Sequence, residues 1–216
     1  MHVLSVNCGR AEPMANAKAS GVTGIYKRPV ATAVLVTTLG LAEDTMCDTA
    51  NHGGADQAIY IYGVPDYAWW SSALQQDLAP GTFGENITIA GLESASMSIG
   101  DRLHIGSVTL EVTAPRIPCV TLARRMGDPA FLKQFRAAER PGAYCRVVRT
   151  GAIEAGDAVR YEPYAGVHVG LIELFRDLFE PENDEATIRR HLAAPIAVRA
   201  RQYKETQLAR LLAKQA

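Results

Sequence analysis

Short runs rich in Val, Ile, Thr and Leu, broken by Gly and Asp turns, fill the first two-thirds of the chain and constrain its fold more than any other feature. Residues 31–38, 87–90, 102–105, 108–113, 145–148 and 158–161 read as strands, because β-branched and apolar side chains suit a pleated, half-buried surface. The N-terminal run 1–8 reads as a further strand. It has neither the basic start nor the long apolar stretch of a secretion signal or membrane span, so neither is expected. The turns Ile99-Gly100-Asp101 and Ala155-Gly156-Asp157 each lead into a strand. Spacing of this kind favours a barrel or sandwich over βαβ units. Helices are expected at 64–76 and 128–138, the second opening on Asp128-Pro129 as cap and first-turn proline.

Composition shifts after Tyr164-Ala165-Gly166. Apolar residues at Val169, Leu171, Ile172, Leu174, Phe175 and Leu178 form a helical stripe, which Pro181-Glu182-Asn183-Asp184 ends. Two more helices are expected at about 184–193 and 195–214. Each would be marginal alone, so the three should pack together or against the strands. The expected organisation is a mainly β unit over residues 1–163 and a small all-α unit over 164–216, the latter a stabilising or docking appendage. From Tyr164 onward the chain carries eight Lys or Arg against seven Asp or Glu, too even a balance for a phosphate-binding face. A formal net charge of -1 over all 216 residues likewise offers no electrostatic case for nucleic acid or an acidic membrane. Cys8, Cys47, Cys119 and Cys145 are scattered, without a CxxC pair or zinc-like spacing, which suits the reducing cytoplasm.

One cysteine stands apart. In Pro115-Arg116-Ile117-Pro118-Cys119 two prolines stiffen the exit from a strand and present the thiol in a defined direction. Arg116 beside it would favour thiolate, the form that attacks electrophiles or binds soft metals. Cys8 and Cys145 lie in apolar strand-like runs and Cys47 in a loop, where an inert thiol is the plain reading. His52, in Asn51-His52-Gly53-Gly54, has no companion ligands for zinc and suits a hydrogen-bonding or proton-transfer role, with Asp56 orienting it or making a turn bond. Asn86, in Gly84-Glu85-Asn86, offers a donor and an acceptor without charge.

Taken in order, Gly24-Ile25-Tyr26-Lys27-Arg28-Pro29, Asn51-His52-Gly53-Gly54-Ala55-Asp56, Gly81-Thr82-Phe83-Gly84-Glu85-Asn86-Ile87, Ile99-Gly100-Asp101-Arg102-Leu103 and the Pro115–Cys119 loop resemble MOSC-domain proteins. This family is named after the C-terminal domain of molybdenum cofactor sulfurase. The likeness spans residues 24–161 and is strongest to the bacterial YiiM-type members, whose short three-helix extension the C-terminal segment resembles. Residues 40–48 depart from it, being only loosely similar to the acidic Gly-Asp-type segment common in the family.

The resemblance implies a MOSC-type β-barrel that binds a molybdenum–pterin cofactor (molybdopterin), with Cys119 as the protein ligand of the metal. It places Lys27, in preference to Arg28, at the pterin phosphate and polar edge, with Thr23 able to offer a hydroxyl and Arg116 charge. It sets Asn86 over the metal centre beside His52. The implied chemistry is reduction of N-hydroxylated compounds, with Cys119, His52 and Asn86 at the reacting centre. No flavin, nicotinamide or iron–sulfur fingerprint is present, so a separate reductase partner is implied. A homodimer stays open. Two alternatives also remain: sulfur transfer through a Cys119 persulfide, and cofactor binding without catalysis.

Overall fold

The structure, a computed structural model, describes residues 1–15, 21–49, 52–182 and 184–214. Asn51, which opens the His-Gly-Gly turn, and Asn183, in the break after the first C-terminal helix, lie outside the described residues. The strands are β1 (His2–Cys8), β2 (Glu12–Pro13), β3 (Val22–Thr23), β4 (Arg28–Pro29), β5 (Val34–Thr37), β6 (Gly40–Leu41) and β7 (Ile59–Gly63). They continue with β8 (Ile87–Ala90), β9 (Arg102–Ile105), β10 (Val108–Pro115), β11 (Ala143–Arg149), β12 (Gly151–Ile153) and β13 (Val159–Glu162). The helices are α1 (Val64–Leu74), α2 (Val120–Arg125), α3 (Phe131–Ala138), α4 (Leu171–Asp177), α5 (Glu185–Ala193) and α6 (Val198–Ala213).

Eight strands form one mixed sheet in the order β13-β9-β10-β11-β7-β8-β1-β4, with a three-stranded sheet β12-β5-β6 beside it. The expected closed barrel does not form. One edge, β4, is two residues long and ends on Pro29, which has no N–H to extend a ladder. Among the described residues the start of β1, beyond its pairing with β4, meets the entry to β13 at a single bridge between His2 and Ala158 and a few backbone bonds around it, such as Val3 N–H to the Asp157 carbonyl at 2.8 Å. The expectation against βαβ units also needs correction at the centre of the sheet, where β7 and β8 pair in parallel across α1. A parallel pair needs such a crossover. Ile59-Tyr60-Ile61-Tyr62 is a continuous apolar run, the pattern of a strand covered on both faces rather than one with a wet side.

Two apolar clusters cover that sheet. One gathers aliphatic side chains of β1, β5, β7–β11 and β13, together with Val169, Leu171, Leu174, Ala194 and Ile196, so the C-terminal helices share a core with the strands. The other is aromatic: Tyr60, Tyr62, Tyr67, Trp70, Phe83, Phe131, Phe135, Tyr144 and Phe175 pack between the sheet, α1, α3 and α4. Trp70 lies at its middle, stacked 5.9 Å from Phe135 and donating to the Tyr62 hydroxyl at 2.9 Å. Truncating such a ring costs about 3–5 kcal/mol, enough to make this cluster a rigid wall for whatever lies at its edge. No helix among the described residues is long and apolar enough to cross a membrane.

Candidate functional site

A cleft open to solvent lies at the margin of the aromatic cluster, walled by Tyr60 and Tyr144, whose rings lie 5.2 Å apart. It is lined by Thr23, Lys27, His52, Asn86, Arg116 and Cys119, six residues far apart in sequence. The strand β10 runs through Pro115, so the stiff segment begins inside the sheet and delivers Cys119 as the residue that starts α2. The Cys119 carbonyl accepts the N–H groups of Leu122 and Ala123 at 2.9 and 3.2 Å, which fixes the backbone and leaves the thiol half-buried on the cleft.

Burial alone would raise the Cys119 pKa, but the hydrogen bond from His52, the Arg116 charge and the Leu122 N–H outweigh it and lower the thiol from 9.0 to about 6. Arg116 is 4 % exposed. It engages Cys119 and Tyr144 and lies 5.4 Å from the centre of the Tyr60 ring, yet its Nη1 is buried without a hydrogen-bond partner among the described residues. A buried cationic donor left unpaired costs several kcal/mol in isolation, so this nitrogen marks a place for an acceptor.

On the opposite wall Lys27, 6 % exposed, forms an ion pair with Asp44, whose Oδ1 accepts the Gly9 N–H at 2.7 Å. Asn86 donates to Asp44 Oδ2 at 2.9 Å and accepts the Tyr60 N–H at 3.0 Å. Its side chain therefore fastens β7 and β8 to this wall, although it borders the cleft. Asp44 lies in the segment that departs from the family pattern, and no sequence signal singled it out. Gly24 lets this segment approach, because a Cβ there would meet the Thr45 carbonyl at 2.0 Å. Gly53 and Gly54, at φ 76° and 84°, turn the chain after His52 in a region that a β-branched residue would not adopt.

Two expected site residues lie elsewhere. Arg28 is 65 % exposed in its side chain, pairs with Glu12 and does not border the cleft. Asp56 faces α6, accepting the Val198 N–H at 2.6 Å and pairing with Arg146 at 3.0 Å, so it does not orient His52 directly. Thr23 does border the cleft, but its hydroxyl accepts the Ile25 N–H at 3.2 Å. Cys47, read as an inert loop thiol, also lines the cleft, with its pKa raised chiefly by burial. Among the described residues no group of three or more His, Cys, Asp or Glu side chains forms a metal cluster, and of the two thiols on the cleft only Cys119 has its pKa lowered.

Residues 48–160 match the model of the MOSC domain. The Bacillus subtilis (strain 168) protein YflK is 34% identical over 154 residues, covering 71% of this chain and 70% of that protein. The chain belongs to the MOSC-domain family. Escherichia coli (strain K12) Protein YiiM is 29% identical over 156 residues, covering 70% of the chain and 68% of that protein. The crystal structure of YiiM from Geobacillus stearothermophilus superposes with a TM-score of 0.79 at 24% identity, covering 96% of this chain and 98% of that one. The fold is thus YiiM-like over nearly its whole length. A Gibberella moniliformis protein named "Reductase" is 32% identical over 162 residues, which span 73% of the chain but 28% of that longer protein. MOSC domains are associated with molybdenum-cofactor proteins, and the match begins at Asp48, so Lys27 and Asp44 fall before it while His52, Asn86, Arg116 and Cys119 fall within it.

Proposed function

We propose that this MOSC protein holds a molybdenum–pterin cofactor through Cys119 and reduces N-hydroxylated compounds. The observation that carries the reading is the lowered Cys119 thiol beside a buried guanidinium whose Nη1 has no partner among the described residues. Both features fit the group: a thiolate is the soft donor that molybdenum takes, and Nη1 is a charge-assisted donor for an anionic or carbonyl oxygen. The aromatic Tyr60 and Tyr144 wall suits the face of a flat heterocycle.

When bound, the cofactor supplies two-electron oxygen-atom chemistry, the overall change being R–NHOH + 2e⁻ + 2H⁺ to R–NH₂ + H₂O. The chain's own residues do the rest. Cys119 anchors, and Arg116 stabilises the thiolate and offers its remaining N–H. His52 holds a proton beside the sulfur, where the departing oxygen needs one. Tyr60 and Tyr144 keep water from that side. Lys27 and Asp44 brace the opposite wall, Lys27 within reach of an anionic group. The two electrons come from a separate reductase, which is the proposed partner. The relative named "Reductase" supports a redox assignment.

The test is elemental analysis and turnover of protein made in a host that synthesises the cofactor, with an artificial reductant and hydroxylaminopurine as substrate. Wild type should carry molybdenum and consume the substrate, and Cys119→Ser should do neither while melting within a few degrees of wild type. Equal metal content and turnover in the two proteins would falsify the proposal. Molybdenum-free wild type with a sulfane sulfur on Cys119 would favour sulfur transfer.

A further inference from the structure

Asn86 offers a donor and an acceptor by its type, but both its carbonyl oxygen and its amino group are engaged by the scaffold. Two residues that line the cleft nevertheless each carry a buried polar atom that the described residues leave unsatisfied. One is Arg116 Nη1, a donor, and the other is Gln57 Oε1, an acceptor; both are buried and have no hydrogen-bond partner among the described residues. Gln57 and Arg116 both line the cleft. Buried polar groups are nearly always paired in folded proteins, so an orphan donor and an orphan acceptor in one cavity call for a ligand with the opposite pattern.

We propose that Gln57 and Arg116 form a recognition pair for the edge of a flat, nitrogen-containing heterocycle, Arg116 donating to its carbonyl or anionic oxygen and Gln57 accepting one of its N–H groups. Tyr60 and Tyr144 give the flatness, since both rings line the same cleft and apolar aromatic faces favour a planar guest. Gln57 is held for this task by its backbone. Its N–H donates to the Gly54 carbonyl at 3.0 Å in the short 3-10 turn Ala55–Gln57, directly after the two glycines with positive φ. A site built to pair with an N–H rejects a ligand lacking it, because the buried carbonyl oxygen is then left unpaired. The inference rests on the proposed cofactor site and extends it to a residue outside the expected set.

The experiment uses the full chain made in a host without the cofactor, titrated with fluorescent pterin-6-carboxylate and, separately, with benzoate, which has an anionic end but no N–H edge. Gln57→Leu should weaken pterin-6-carboxylate at least tenfold and leave benzoate unchanged, whereas Gln57→Glu, which keeps an acceptor oxygen, should retain most of the pterin affinity. Arg116→Gln should weaken both, and melting curves establish that each variant is folded. If wild type and Gln57→Leu bind pterin-6-carboxylate equally while Cys119→Ser still loses molybdenum, the pair is overturned and the proposed function stands. If wild type binds no pterin and acquires no molybdenum in a competent host, the proposed function and this inference both fail.

Discussion

Asp56 Oδ2 accepts the backbone N–H of Val198 at 2.6 Å, a bond across 142 residues that ties the turn beside the cleft to the first residue of α6. The helix needs this outside acceptor because the residue preceding it is Ala197, which has no capping side chain. The same turn is held from below, since Thr113 donates its hydroxyl to the Asp56 carbonyl at 2.6 Å and Ala197 donates its N–H to the Thr113 carbonyl at 3.1 Å. The C-terminal helices therefore help to place Gln57 and, four residues before Asp56, His52.

Asp56→Ala should cost roughly 1–2 kcal/mol, the usual effect of losing a helix cap. Asp56→Asn, which keeps the acceptor, should recover most of that loss. Urea unfolding measures the stability, and hydrogen exchange locates the change. Faster exchange is expected both in the first turn of α6 and at residues 52–57. Acceleration confined to α6 would show that the cleft turn is held without the helices.

In metal-free protein, alkylation of Cys119 should rise with pH through a midpoint near 6, because thiolate is the reacting species and His52 and Arg116 stabilise it against the effect of burial. Cys145, pushed well above the ordinary thiol range by burial and then by Glu111, should stay unmodified until the protein unfolds. His52→Ala removes the largest favourable contribution and should move the Cys119 midpoint upward, which iodoacetamide labelling with peptide mapping would read. A midpoint unmoved in that variant would assign the effect to Arg116 and the Leu122 N–H.

Much of this was legible from residue order. The strands β8, β9 and β10 begin where alternation and turns placed them, and Cys119, His52, Lys27 and Arg116 do meet at one cleft. What failed depends on three dimensions. A buried parallel strand such as β7 lacks the period-two pattern that betrays a half-wet strand, so its βαβ crossover was hidden. Barrel closure depends on how far β1 and β13 pair, and that contact between the two ends of the chain's strand order stops at the bridge from His2 to Ala158. Asp56 and Arg28 have the right residue types beside the right motifs, but strand and turn geometry aims them at α6 and at Glu12. Asp44 and Gln57 carried no pattern at all. Their significance is a pairing in one case and the lack of a pairing in the other.

The ion pair between Lys27 and Asp44 gives a further test, because both side chains are nearly inaccessible to water. Removing one member of a buried pair leaves a charge with no partner and costs about 3–5 kcal/mol, while replacing both is far milder. Lys27→Ala should therefore lower thermal stability and molybdenum content together. The double variant Lys27→Met with Asp44→Asn should regain most of the melting temperature. If molybdenum content stays low in the double variant, Lys27 acts on the cofactor directly. Recovery of both would make its role one of bracing the wall.

Acid stability should report on the helical unit through Glu173. Burial would raise its carboxyl pKa, but Arg190 at 2.5 and 3.1 Å and then His191 at 2.6 Å outweigh that and hold it at about 2, below its ordinary 4.5. A carboxylate with a depressed folded-state pKa contributes stability that is fully present above its unfolded value and is lost as pH falls through the folded one. The window is thus about pH 4.5 down to 2, and partial exposure of Glu173 and Arg190 keeps the effect modest through solvent screening. Glu173→Gln should lower stability at pH 7 and flatten the dependence across that window, as followed by urea unfolding at pH 7, 4.5 and 3. A variant whose loss of stability between pH 4.5 and 3 matched that of wild type would place the acid sensitivity in other carboxylates.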